Sequence, residues 1–238
     1  MTNTDAVSRG DHTRETLIIS AIEVFSHSGF DAASTRAIAV AAGVNQGLIS
    51  YHFGSKQRLY LATFEYMLDH LQCQIKPLEQ MVSQELAKAA HVGPERRELA
   101  LNLMQTVMGA VIDLFSEQVD DSWVRLLLRE QQEPGEAYKL LYDGVMSHLL
   151  SLLCRLISMV TDLPEESEAC RIRAFMLLGQ VLILRIATGA ATCFLGWETL
   201  SACNVAAFRV QFQHSLESQF PVLPSCSTNV SGEAGTYN

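Results

Sequence analysis

Apolar positions along this 238-residue chain recur at helical spacing nearly throughout, and no stretch alternates apolar and polar residues as a half-buried strand does. Leu17, Ile18, Ala21, Ile22 and Phe25 form a wide stripe that predicts a first helix. Thr13 can cap it, Asp11 and Glu15 lie near its positive end, and His27-Ser28-Gly29 closes it. Two short helical segments follow at 35–42 and 46–53, and a longer run spans 56 to about 74, with Pro77 expected to kink or divide it. Gly93-Pro94 introduces a helix at about 95–115, and Asp120-Asp121-Ser122 opens another at 123–132 that Pro134-Gly135 closes. A segment at 136–160 is separated by Leu163-Pro164 from a long helix of roughly 165–195, which Gly196-Trp197 ends, and 204–218 makes the last helix. The pattern predicts an all-α protein of about nine helices. It divides into a flexible arm (1–12), a three-helix unit (13–60), a larger helical unit (61–219) and a Pro/Ser/Gly-rich disordered tail (220–238).

Composition changes this picture little. At 48% hydrophobic and 18% charged residues, the chain can bury a sizeable core, whereas a three-helix unit of some fifty residues is marginal alone and needs support from the helix after it. The segment 174–197 is apolar enough to raise a transmembrane question. Gln180 and Arg185 near its middle, and amphipathic neighbours, favour a helix buried between a core and a subunit interface, with no membrane partner. The net charge of −9 lies entirely beyond residue 60, because residues 1–60 balance five basic against five acidic side chains. A nucleic-acid contact in the first unit therefore meets less repulsion than elsewhere, but a pair of protomers is needed for useful affinity. Six cysteines without CxxC or metal-ligand spacing read as small hydrophobes. The opening MTNTDAVSRGDHTRE has no apolar core of a signal peptide, so a reducing cytoplasm is the expected location.

The stretch 34–59, STRAIAVAAGVNQGLISYHFGSKQRL, carries the most specific signal. Gly43 sits where a helix ends in a left-handed residue, and Asn45 offers a side-chain oxygen to cap the next helix. A helix, a Gly turn and a capped helix with a small polar outer face make a helix-turn-helix, a reader of double-stranded DNA. Thr35-Arg36-x-Ile38-Ala39-x-x-Ala42-Gly43-Val44, followed by Gly47-x-Ile49-x-Tyr51-His52-Phe53-x-Ser55-Lys56-x-x-Leu59, closely resembles the DNA-binding signature of the TetR family over roughly residues 14–60. Leu127-Leu128-Arg129-Glu130-Gln131-x-x-Pro134-x-x-Ala137-Tyr138 is similar, less specifically, to the CecR-like subgroup of that family.

The resemblance implies a homodimeric bacterial transcriptional regulator, usually a repressor released from its operator by a small ligand. By position it places Thr35 and Arg36 near phosphate, Gln46 and Gly47 at the opening of the recognition helix, and Tyr51, His52 and Lys56 on the DNA backbone. With Asn45 and Ser50, these are the candidate DNA-facing residues. Leu48 and Ser50 depart from the family pattern, which often has Thr or Ser at the first position and Tyr at the second, so one polar and one phosphate contact are not carried over. Several readings stay open: Tyr51 packs on the following helix or meets DNA, His52 orients the turn or meets DNA, and Arg36 pairs with Asp31 or Glu15 or with phosphate.

The larger unit shows no HExxH, G-x-S-x-G, P-loop or Rossmann pattern, so no enzyme, cofactor or metal site is expected. A pocket for an unknown small-molecule effector is expected among the helices between 95 and 190, with Trp123, Arg129, Tyr138, Gln180 and Arg185 as its candidate residues. A buried Arg needs a carboxylate or an anion, so Glu130 pairs with Arg185 or Arg129, or one of these arginines meets a ligand's acidic or carbonyl group. The last two long helices, about 165–195 and 204–218, are expected to form a four-helix dimer interface. It sets two recognition helices about 34 Å apart, one DNA turn. The competing accounts are a DNA-binding regulator or architectural protein controlled by a protein partner, and a transcriptional activator.

Overall fold

A computed structural model describes residues 9–88 and 94–220, and their regular structure is entirely helical. In chain order the helices are α1 (Arg9–Ala32), α2 (Thr35–Ala41), α3 (Gly47–Phe53), α4 (Lys56–Lys88), α5 (Pro94–Asp113), α6 (Asp121–Gln132), α7 (Glu136–Leu141), α8 (Ser147–Thr161), α9 (Glu168–Ile186), α10 (Thr188–Leu195) and α11 (Ala202–Gln219). π turns at Leu114–Gln118 and Tyr142–Met146 extend α5 and join α7 to α8. The all-α expectation stands, with more segments than anticipated because two long runs are interrupted. Residues 1–8, Gly93 and the tail from 221 lie outside the described residues. Arg9–His12, expected in the arm, already belong to α1.

Three boundaries differ from the sequence reading for physical reasons. The helix α4 continues through Pro77 for 33 residues. Proline removes one backbone N–H there, but Cys73 and Pro77 are exposed, so the freed Cys73 carbonyl can meet solvent. The stripe Leu71, Ile75, Leu78, Val82 stays packed on either side. The helix expected over 165–195 instead bends by 80° between α9 and α10. There the Thr188 hydroxyl donates to the carbonyls of Leu184 (3.1 Å) and Arg185 (2.9 Å), competing with the helical ladder. Gly29 adopts φ 77°, ψ 171° and breaks α1 as the sequence suggests, with one further turn before α2.

Two large cores organise the molecule. The first gathers Leu17, Ile18, Ile22 and Phe25 of α1 with Ile38, Ile49 and Phe53, and extends into Leu59, Tyr60, Phe64 and Met67 of α4. It is completed by Leu126 of α6 and Ala137 and Leu141 of α7. The small reader therefore has the support it needs. The second core packs α5, α8, α9 and α11, and Phe220, placed by the sequence in the tail, is buried against it. The runs 95–116 and 136–161 are long and apolar enough to cross a membrane, yet their apolar faces form these cores. Burial pushes the Cys170 thiol up to about 11, and Cys170 Sγ donates to the Cys154 carbonyl at 3.3 Å, as befits cysteines used as packing.

Candidate functional site

The reader is built by short-range chemistry. Ser34 caps α2, its Oγ accepting from the Ala37 N–H at 3.0 Å. Gly43 closes the helix at φ 66°, with the Val44 N–H donating to the Ala39 carbonyl (3.0 Å) and the Gly43 N–H to Val40 (3.1 Å), a Schellman turn. Asn45 Oδ1 accepts from the Gly47 N–H at 2.8 Å, while Gln46 Nε2 donates to Thr35 Oγ1 at 2.9 Å and braces the two motif helices. Gln46, Gly47 and Ser50 lie exposed, and Tyr51 is 81% exposed with an edge-on contact to the His52 ring at 5.0 Å. Tyr51 therefore does not pack on the following helix. Arg36 is exposed and makes no ion pair with Asp31 or Glu15. Leu48 is half-buried against the first core, and His52 sits between the rings of Tyr51 and Phe53.

Lys56 sits among the backbone carbonyls at the end of α1. Its Nζ donates to the carbonyls of Phe30 (2.7 Å), Ala33 (3.1 Å) and Asp31 (3.3 Å), and lies 4.4 Å from the centre of the Phe30 ring. These contacts consume its donors in tying the end of α1 to the start of α4. The geometry gives Lys56 a bracing role at the base of the reader.

Behind the reader, α6 presents two working faces. Arg129 donates from Nη2 to the His27 carbonyl (3.1 Å) and from Nε to that of Ser26 (3.3 Å), at the break that Gly29 makes in α1. A Cβ on Gly29 would come within 3.1 Å of Arg129 Nη1, so the glycine supplies both the turn and the room. Glu130, buried, accepts from the Tyr60 hydroxyl at 2.6 Å and from the backbone N–H groups of Tyr138 (3.1 Å) and Gly135 (3.4 Å). The expected pairing of Glu130 with Arg185 or Arg129 is thus replaced by a neutral phenol and two amides at the start of α7. Burial and the Glu130 carboxylate push the Tyr60 phenol well above its ordinary value. Tyr60 also meets Phe25, Phe30 and Phe64 edge-on at 4.9–5.1 Å.

The other face of α6, formed by Val124, Leu127, Leu128 and Gln131, borders a cavity of about 390 Å³. Leu71 and Ile75 of α4 and Phe175, Leu182 and Arg185 of α9 line other sides, and both π turns contribute, through Leu114, Phe115, Val145 and Met146. Among the described residues the wall is apolar apart from Gln131 and Arg185. Of the five residues expected here, only Arg185 lines the cavity. Trp123 packs edge-on against Tyr66 and His70, Arg129 serves α1, Tyr138 stacks on Tyr142, and Gln180 accepts from Gln219. Most of the wall residues that the sequence did not disclose are ordinary leucines, valines and isoleucines, marked by nothing but their packing. Arg185 Nη1 pairs with Asp121 at 2.8 Å, and Nη2 donates to the Val119 carbonyl at 2.6 Å. Its enclosed Nε has no acceptor among the described residues. Asp120 caps α6 by accepting from the Ser122 N–H (2.8 Å) and hydroxyl (2.7 Å), which hold its carboxyl below the usual range with help from Arg125 and Arg185.

A reader with this turn, joined through α4 and α6 to a helical body with a cavity, agrees with two family profiles. Residues 17–63 match the profile described as bacterial regulatory proteins, tetR family, and residues 99–216 match the C-terminal domain of the HTH-type transcriptional dual regulator CecR. This chain is a TetR-family transcriptional regulator. It is 29% identical over 197 residues to the HTH-type transcriptional dual regulator CecR of Shigella flexneri, covering 83% of this chain and 86% of the relative. Among solved structures, AibR in complex with isovaleryl coenzyme A and operator DNA is similar at a TM-score of 0.58 and 16% identity, covering 89% of this chain and all of that one. The regulator FadR from Bacillus subtilis in complex with stearoyl-CoA is similar at a TM-score of 0.53 and 15% identity, covering 88% and 99%. TetR-family proteins of this type are regulators and not enzymes.

Proposed function

We propose that this TetR-family regulator acts as a homodimeric repressor released from its operator by a small apolar ligand held in the α4–α6–α9 cavity. Two units carry this out: the reader at 13–60 and the effector-binding and dimerisation body at 61–219. The observation that carries the reading is the double use of α6, whose one face lines the cavity while the other clamps α1 and α4 of the reader. A ligand that fits better when α6 is displaced favours a state with the wrong spacing of recognition helices, and operator affinity falls by that differential affinity. Ligand-bound neighbours of the same fold support a small-molecule effector, and the cavity favours it over control by a protein partner.

On the DNA side, Gln46, Gly47 and Ser50 face the bases, with Asn45 holding the turn. Thr35, Arg36, Tyr51 and His52 serve the backbone, and Lys56 positions them. The sign of regulation has a second reading, because the Shigella flexneri relative is described as a dual regulator; activation at some promoters is compatible with the same geometry. Genome-wide mapping of bound sites, followed by operator titration with Arg36→Ala, Tyr51→Ala and Gln46→Ala, tests the assignment. The first two should weaken binding to every sequence and lower its salt dependence, whereas Gln46→Ala should relax preference at a few base pairs. Unchanged binding by all three variants would exclude this face as the reader.

A further inference from the structure

The wall of the cavity restricts what can occupy it. A volume of about 390 Å³ lies at the lower end of the range of small-molecule sites. Apolar side chains from α4, α5, α6, α8 and α9 surround it, so most of the occupant must be hydrocarbon. Among the described residues Arg185 is the single charged one in the wall, and its state is not that of a finished core pair. Nη2 is held by the Val119 carbonyl, but Nη1 rests on Asp121, a carboxylate whose side chain is 68% exposed. The enclosed Nε finds no acceptor among the described residues. A buried donor without an acceptor is destabilising, and an exposed carboxylate is a partner that water can readily take back.

Building on the cavity reading, we infer that the ligand is an aliphatic carboxylate. Its chain lies along Leu71, Leu127, Leu128 and Leu182, and its head group accepts from Arg185 and takes the place of Asp121. Asp121 opens α6, so releasing it into solvent loosens the N-terminal end of the helix whose other end holds α1 through Arg129 and α4 through Glu130. Head-group binding thus acts on the element that joins cavity and reader.

Calorimetry on the full chain, comparing decanoate with 1-decanol, tests this. Decanoate should bind at least tenfold more tightly, as a charge-assisted contact to Arg185 allows. Arg185→Gln should abolish that preference while leaving decanol affinity nearly unchanged. Asp121→Asn, at an exposed position that should leave folding intact, should tighten decanoate severalfold and leave decanol unaffected. Equal binding of the two probes, or an Asp121→Asn protein with unaltered preference, overturns the head-group assignment while the apolar cavity reading stands. Binding of neither probe overturns both. Binding of decanoate with the expected preference but without operator release leaves this inference intact and overturns the repressor mechanism.

Discussion

At the scale of single residues, local geometry makes several positions intolerant of change. Gly43 holds φ 66° with nothing within 4 Å of where a Cβ would stand, so the cost of Gly43→Ala is purely the backbone conformation, about 1–2 kcal/mol. A lowered melting temperature together with weaker operator binding is expected. Lys56→Ala should behave as a folding variant as well as a binding one. Losing three charge-assisted contacts to the end of α1 should cost about 1–2 kcal/mol, discounted for partial exposure, and denaturant titration should detect it. Unchanged stability with lost DNA binding would assign Lys56 to phosphate and not to bracing. Tyr60 supplies a pH signature. Its folded phenol titrates above the unfolded value, so the native state keeps a proton that the unfolded chain releases. The stabilisation is complete below about pH 10 and is lost as pH rises above it. Tyr60→Phe should be less stable at pH 8, and its stability should fall less steeply than that of the parent between pH 10 and 12.

At the scale of elements, α6 is decisive because its length and periodicity let opposite faces serve different units. The positions 124, 127, 128 and 131 are spaced as one helical stripe towards the cavity, while 126, 129 and 130 face the reader. A bulky side chain on the cavity stripe should mimic a ligand. Leu128→Trp, entering open volume and not a filled core, is expected to lower operator affinity at least tenfold without loss of helical content. Operator titration and circular dichroism measure the two effects. The α4 helix is the second shared element, since Tyr60 belongs to the reader's core and Leu71 and Ile75 to the cavity wall, all on one unbroken rod.

At the scale of the whole molecule, the surface supports pairing through the final helices. Of twelve large hydrophobic residues exposed among the described residues, eight lie on α9, α10 and α11, including Phe175, Ile183 and Phe194. Such a concentration marks an interaction surface. Ile183→Glu should shift the protein to a monomer in sedimentation and should abolish operator binding while each protomer stays folded. A monomeric variant that still binds its operator with the parent's affinity would refute the two-protomer requirement.

The helical class, the motif helices, the Gly43 turn and the Asn45 cap were legible in the sequence. Each depends on interactions within about five residues, which the order of side chains alone specifies. The resemblance over 35–59 rests on the same short-range pattern. The partners of Lys56, Glu130 and Arg185 were decided only by tertiary structure. Glu130 meets Tyr60 seventy residues away, and Arg185 donates to Val119 sixty-six residues away. Such distances along the chain are closed by packing angles that no local pattern encodes. The cavity belongs to the same category, because an aliphatic side chain lining a void and one filling a core have the same periodicity. What separates them is the placement of the opposite wall, to which the π turns here contribute Leu114, Phe115, Val145 and Met146.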